Sequence, residues 1–253
     1  MVTFSSSDDL RGARFTDADL SGGRFLRTDL SGVVMRGVEL DGADLDAPWL
    51  LAGDGTLLVN GVDVTPYVDA ELNRRFPGRE LQRAADPDGL RAAWSAVEDT
   101  WAATAERAAT MPDGSVDVSV DGEWSFAQTL RHLVRATDTW LGKAVLGLDD
   151  PYHPLGLLDA ETAADDGESS PRVADHSLPY AEVLDARASR QAMVRELLAT
   201  VTTDVLDSPR PNPHDPAYSE TVRSCLHTIL EEEWEHHRYA VRDLDAIAAG
   251  RPG

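Results

Sequence analysis

The stretch that decides the fold is "LHTILEEEWEHHRYAVRDLDAIA", residues 226–248. Its apolar residues recur every three or four positions, which is the period of an amphipathic helix. The apolar stripe consists of Leu226, Ile229, Leu230, Ala240, Leu244 and Ala248. Inside the stripe, "EEEWEHH" at residues 231–237 inserts four acids and two histidines. The sequence predicts a helix over roughly residues 221–248. The next question is which of these polar side chains face the core and which face solvent.

Helical phase separates the polar residues of this segment. At 100° per residue, Glu233 and His237 each lie about 20° from the centre of the stripe, while His236 lies about 80° away. The other three acids point mostly away from the stripe. A carboxylate facing a core is costly unless it is paired or coordinates a cation. Because residues four apart share a helix face, Glu233 and His237 are predicted to reach one ion, with a metal-free hydrogen bond between them as the alternative.

A third ligand has to come from another helix. The segment "WSFAQTLRHLVRATDTW", residues 124–140, predicts a helix that begins near Ser125 and carries His132. His132 lies at the edge of the apolar stripe of this helix. Periodicity alone therefore leaves His132 open between a metal ligand and an ordinary boundary histidine.

Two further segments complete a helical pattern. Asp86-Pro87 is typical of a helix start and precedes apolar residues at helical spacing, and another helical pattern begins near residue 180. Four helices joined by loops predict a mostly α protein with a four-helix bundle. The loop at residues 148–179 is rich in Pro, Gly and acids. Loops of this length in compact domains are usually functional or mobile.

The pair "WSFAQTLRHLV" and "EEEWEHHRYAVRDLD" resembles the DinB-like superfamily over residues 86–247. The resemblance implies a four-helix bundle with one histidine ligand from the second helix and two, spaced i and i+4, from the last. His132 matches the first ligand and His237 the last, while Glu233 stands where the family usually has histidine. The implied ligands are His132, Glu233 and His237, holding a divalent ion: zinc, with nickel or iron as alternatives.

The same resemblance implies a chemistry. The superfamily includes thiol S-transferases, so the chain is expected to be a metal-dependent transferase. It would activate a low-molecular-weight thiol for attack on an electrophilic small molecule held under the long loop. The Ala-, Asp- and Arg-rich composition favours mycothiol as that thiol. The alternative is a non-catalytic, metal-stabilised bundle that acts as an interaction module through its N-terminal segment, and a homodimer is left open.

That N-terminal segment has a period of five. An apolar residue recurs at Leu10, Phe15, Leu20, Phe25, Leu30, Met35, Leu40 and Leu45. This period fits neither a helix nor a strand, and "ADLSG" at Ala18 and "ADLDA" at Ala43 resemble the pentapeptide-repeat family. Eight units predict about two turns of a short right-handed quadrilateral β-helix, with a disordered polar leader as the alternative. A structural or docking role is favoured over DNA mimicry, because the block is short and mixes arginines with its acids.

The remaining features give the predicted domain boundaries. Asn60-Gly61 between two apolar runs predicts a β-hairpin with a type I′ turn. A short helix is expected to follow and to end before Pro77-Gly78. The predicted organisation is a repeat β-helix at 1–50, a hairpin and short-helix connector at 51–85, and the bundle at 86–253.

Composition limits the partners. A net charge of −22 argues against nucleic acid and against an anionic membrane surface as partners. No apolar run is long enough to span a bilayer, and "MVTFSSSDDLRGARF" lacks the features of a signal peptide. The single cysteine, Cys225, excludes an internal disulfide and favours a reducing compartment. The expectation is a cytoplasmic protein that binds small molecules.

Overall fold

The computed structural model describes residues 3–5, 7–51, 53, 55–158 and 178–251. Contacts divide the chain into two compact units, Met1–Asp46 and Ala47–Gly253. The domain boundaries predicted near residues 50 and 85 stay predictions. Residues 159–177, most of the loop expected to cover the electrophile, lie outside the described residues.

The first unit repeats its backbone conformation every five residues. Positive φ angles between 49° and 72° occur at Gly12, Asp17, Gly22, Arg27, Gly32, Gly37 and Gly42. Every second one lies in a turn closed by a backbone hydrogen bond, as in the 3.0 Å bond from the Ala13 amide to the Leu10 carbonyl. Most of these positions are glycine, which adopts positive φ without steric cost. The five-residue period of the sequence is therefore also the period of the positive φ angles, while the hydrogen-bonded turns repeat every ten residues.

The large apolar residues of the repeat differ from the expectation. The prediction directs them at a shared axis, yet from Leu10 to Leu45 they are 39–59% exposed. A repeat unit cannot bury its apolar side alone and relies on stacked neighbours. The quadrilateral β-helix stays a prediction.

The second unit opens with the predicted hairpin. A 3-10 helix at Pro48–Leu51 precedes strand β1, Leu58–Val59, which pairs antiparallel with β2, Val62–Asp63. Asn60 and Gly61 between them have φ angles of 52° and 82°. Two positive φ values are what a type I′ turn requires, so the hairpin prediction is confirmed.

The chain is mostly helical. The α-helices in the described residues are α1, Thr65–Arg75; α2, Pro87–Ala109; α3, Phe126–Thr137; α4, Tyr180–Thr200; α5, Thr203–Leu206; and α6, Val222–Ala248. Short 3-10 helices lie at Arg79–Leu81 and Ser115–Asp117, and a π-helix, Asp138–Val145, continues α3. Strands β3, Pro209–Pro211, and β4, Ser219–Thr221, pair antiparallel before α6.

The long helices begin where the sequence predicts. The Asp86 side chain accepts hydrogen bonds from the backbone amides of Asp88 and Gly89 and caps α2, with Pro87 at its first position. A capping box of Ser125 and Gln128 starts α3, and Thr221 caps α6. The caps satisfy amides that have no partner within a helix, so they fix both the start and the phase of each helix.

The core of the second unit lies among its four long helices. Helices α2 and α3 each contact both α4 and α6. Trp94, Leu133, Val194 and Leu226 are typical core members, each 1–2% exposed. Burying such a side chain contributes about 1.5–3 kcal/mol. Among the described helices, none combines the length and the apolar character needed to cross a membrane.

Deleting residues 1–46 is expected to leave the melting temperature of the rest of the chain unchanged, because the buried core cluster lies wholly between Leu90 and Leu244. Thermal unfolding followed by circular dichroism, on the full chain and the truncated chain, makes the comparison. A loss of about 1 kcal/mol lowers the melting temperature of a domain this size by roughly 2–4 °C. A fall in melting temperature of more than roughly 2–4 °C on truncation would show that the repeat unit stabilises the helical unit.

Candidate metal centre

Helix α3 presents His132 from a fixed start. The capping box at Ser125 sets the phase of the helix, and Leu133 and Val134 beside His132 are fully buried. The His132 side chain itself is 13% exposed, at the boundary of the core. Its Nε2 lies 3.2 Å from Oε2 of Glu232 on α6. The buried Nδ1 of His132 has no hydrogen-bond partner among the described residues.

Helix α6 supplies two residues that meet His132. Glu232 and His236 are spaced i and i+4, so they lie one turn apart on the same face. The His236 Nδ1 lies 3.3 Å from Glu232 Oε2. One ligand atom each from His132, Glu232 and His236 lies within 4.8 Å of the other two. The side chains of Glu232 and His236 are 19% and 16% exposed.

His236 is held as a neutral imidazole. Burial, together with the neighbouring His132, lowers its pKa to about 4, while Glu232 opposes the shift. The His236 Nδ1 lies 2.9 Å from the backbone carbonyl of Glu232, which only accepts, so Nδ1 carries the proton. Its Nε2 then keeps a lone pair. A neutral imidazole whose tautomer is fixed by a second hydrogen bond is the form that binds metals.

The three side chains fit a divalent ion. Two imidazoles and a carboxylate are common ligands of zinc, nickel and iron. A shared ion about 2 Å from each ligand atom requires those atoms to lie within about 4 Å of one another. The 3.2 Å between His132 Nε2 and Glu232 Oε2 meets this limit, and one ligand atom from each of the three residues lies within 4.8 Å of the other two.

Glu233 does face the core, as its phase predicts, but its partner is Arg187 on α4. Glu233 is 1% exposed and Arg187 is 4% exposed. The Arg187 Nη2 donates to Glu233 Oε2. Burial raises the pKa of the Glu233 carboxyl, and the Arg187 guanidinium opposes that shift. The structure therefore gives Glu233 a buried ion pair and does not bring it together with His132.

His237 is also buried, in a different environment. Its Nε2 lies 2.8 Å from Oγ1 of Thr104, which donates its own proton to the Thr100 carbonyl. His237 therefore donates through Nε2–H, and burial lowers its pKa to about 4. Its ring packs edge-on against Trp101 and Phe76, with centroids 5.1 Å and 5.7 Å away. Of the predicted ligands, the structure places only His132 in the three-residue cluster.

The two ligands predicted on α6, Glu233 and His237, each lie one position after the cluster residues Glu232 and His236. The prediction takes the core face, whereas His132 lies at the edge of its own apolar stripe. A boundary residue on α3 meets boundary residues on α6, and those are Glu232 and His236. The acids assigned to solvent are half-buried as well: Glu231 is 26% exposed and Glu235 is 13% exposed. The edge position of His132 is the sequence signal that could have pointed to Glu232 and His236 instead of Glu233 and His237.

These observations define a class: a mostly helical protein with a two-histidine, one-carboxylate candidate metal centre between two long helices. The profile of the DinB superfamily matches residues 96–240, more than half of the chain, so the chain belongs to the DinB superfamily. The profile of pentapeptide repeats matches eight copies over residues 9–46. Both family predictions are confirmed at this level. Neither the curated proteins nor the solved structures gave a match.

Proposed function

We propose that the protein is a metal-dependent transferase that activates a low-molecular-weight thiol, such as mycothiol, for attack on an electrophilic small molecule. The observation that carries this proposal is the cluster of His132, Glu232 and His236. Three protein ligands leave coordination positions open, as in catalytic metal sites. The proposed ion is zinc, with nickel or iron as alternatives.

The proposal includes the architecture and location expected from the sequence. The four long helices are the DinB-like four-helix bundle, and the repeats form a short right-handed quadrilateral β-helix before it. The contacts of α2 and α3 with both α4 and α6 support the bundle, and the five-residue backbone period supports the repeat coil. The proposed location is cytoplasmic, since the single cysteine is a buried free thiol.

The residues of the chain have distinct parts in this reaction. His132 and His236 would hold the ion with Glu232, whose carboxylate would offset part of its charge. When bound, the ion supplies positive charge that lowers the pKa of a thiol beside it. The thiol loses its proton to solvent, and its sulfur forms a bond to the electrophilic carbon. The leaving group departs with the electron pair of the bond that breaks.

Removing the metal is expected to abolish turnover of monochlorobimane with mycothiol, and re-adding zinc is expected to restore it. Elemental analysis of the protein as purified gives the metal content, and fluorescence of the bimane adduct gives the rate. The His214→Ala variant is the matched control, because this exposed histidine packs on Trp140 outside the cluster. Equal rates with and without metal would rule out the metal-dependent mechanism.

A second candidate is a non-catalytic module whose repeat unit binds a second copy of the chain. The observation that favours it is the exposure of Phe15, Phe25 and the other large apolar residues of the repeat, 39–59% each. The molar mass in solution of the full chain and of residues 47–253 tests it. A dimer that becomes a monomer on truncation, together with no turnover, supports the module. A monomer in both cases removes this candidate.

A further inference from the structure

A short turn places an aromatic side chain at the candidate metal centre. The Glu123 amide donates to the Val120 carbonyl at 2.9 Å, and Asp121 and Gly122 between them have φ angles of 53° and 78°. This is a tight turn with two left-handed residues. Trp124 follows at once and directly precedes the α3 cap. Its backbone is therefore fixed on both sides; residues 119–124 are called the Trp124 turn below.

The Trp124 ring lies against both histidines of the cluster. Its centroid is 4.7 Å from that of His132, tilted by 38°, and 6.1 Å from that of His236, nearly parallel at 22°. The two imidazole centroids are 4.6 Å apart. Trp124 is only half-buried, so part of its side chain stays accessible. An aromatic side chain that contacts both imidazoles offers an apolar contact surface to a molecule bound at the ion that they would hold.

An ion pair fastens the Trp124 turn to α6. Arg242 donates to the Glu123 carboxylate and, at 2.7 Å, to Asp243. The Arg242 guanidinium also lies 5.3 Å from the Tyr239 ring centroid. Tyr239 in turn packs edge-on against His236, with centroids 5.8 Å apart. Arg242 thus contacts both the Trp124 turn and the helix that carries Glu232 and His236.

We propose that Trp124 is a specificity-determining residue: it forms an aromatic wall of the ligand site and selects ligands that carry a planar group next to the metal-binding atom. This inference rests on the proposed metal centre and deepens it by naming the class of ligand. A planar ring bound beside the ion stacks on the accessible part of the indole, whereas a small aliphatic group leaves that surface in water. Stacked aromatic pairs gain affinity beyond the area they bury.

Two hydroxamates with the same metal-binding group test the inference by direct binding. Benzohydroxamate carries a phenyl ring and acetohydroxamate a methyl group. Isothermal titration of the zinc-loaded full chain gives both dissociation constants without any turnover. The Trp124→Ala variant is expected to bind benzohydroxamate about threefold to tenfold more weakly than the wild type. Its affinity for acetohydroxamate is expected to stay within about twofold, because no ring is stacked in that complex.

Two further variants make the result specific. Trp124→Phe is expected to recover most of the preference for benzohydroxamate, since it keeps an aromatic ring. Trp49→Ala removes a tryptophan that is 71% exposed in the Pro48–Leu51 helix, and both affinities should match the wild type. An unchanged ratio of the two affinities in Trp124→Ala, with full zinc content, overturns the inference and leaves the metal centre standing. Failure of the wild type to take up zinc overturns both.

Discussion

Replacing His236 with alanine is expected to weaken zinc binding by more than about 100-fold. Loss of a residue that only orients a ligand typically costs 10–100-fold in metal affinity, and a direct ligand costs more. His236 is predicted to be such a ligand because its neutral ring contacts the Glu232 carboxylate and lies 4.6 Å, between ring centroids, from His132. Competition with a chromophoric chelator, at one fixed pH, measures the dissociation constant.

The matched control is the neighbouring histidine. His237→Ala is expected to keep zinc affinity near the wild-type value, because His237 bonds to Thr104 and lies outside the cluster. It is expected to lose stability instead, since it empties a site lined by Trp101 and Phe76. The reverse outcome, with zinc lost in His237→Ala and kept in His236→Ala, would restore the ligand set predicted from helical phase.

Much of the fold was predictable because its signals are local. Asn60-Gly61 demands positive φ at both positions, and the structure has it there. Asp86 and Ser125 carry side chains that cap helices, and α2 and α3 begin directly after them. Each of these features depends on a few adjacent residues. Signals of this kind do not depend on the tertiary contacts of the rest of the chain, which is why the helix starts were predicted correctly.

The predicted ligand set differs from the cluster in the structure because a site between two helices depends on how those helices face each other. Helical phase correctly gave Glu233 and His237 to the interior, where they are 1% and 5% exposed. Phase could not say which edge of α6 meets α3. Glu232 and Glu233 point 100° apart around the helix axis. The ligand set therefore depends on whether the core face or the edge of α6 is taken to meet His132.

The role of Glu233 could not be derived from α6 at all. Its partner Arg187 lies on another helix, 46 positions earlier. The apolar pattern of α4 gives no sign that an arginine will be 4% exposed. A buried acid in a sequence reads equally as a metal ligand or as one half of an ion pair, since both relieve the same desolvation cost. Only the packing of α4 against the core separates the two.

Replacing Glu233 with alanine is expected to lower the free energy of unfolding by about 3–5 kcal/mol. The change leaves the Arg187 guanidinium, which is 4% exposed, without its carboxylate. A buried charge without a partner carries an uncompensated desolvation penalty. Urea unfolding of the metal-free protein, followed by circular dichroism, gives the value free of any stabilisation by a bound ion.

The control for this variant is a second ion pair that also involves α4 but is more exposed to solvent. Glu98 on α2 pairs with Arg195 on α4, and their side chains are 22% and 54% exposed. Exposed pairs contribute little, so Glu98→Ala is expected to cost less than about 1 kcal/mol. Equal losses in Glu98→Ala and Glu233→Ala would contradict the assignment of Glu233 to a buried pair.

Removing both charges separates the cost of an orphaned charge from the contribution of the pair. The double variant Arg187→Met with Glu233→Leu is expected to lie within about 1 kcal/mol of the wild type, or to exceed it, because apolar residues often replace buried pairs without loss. The pair is also incompletely satisfied: the buried Nε and Nη1 of Arg187 have no hydrogen-bond partner among the described residues. A double variant as unstable as Glu233→Ala would instead mean that the pair itself stabilises the contact between α4 and α6.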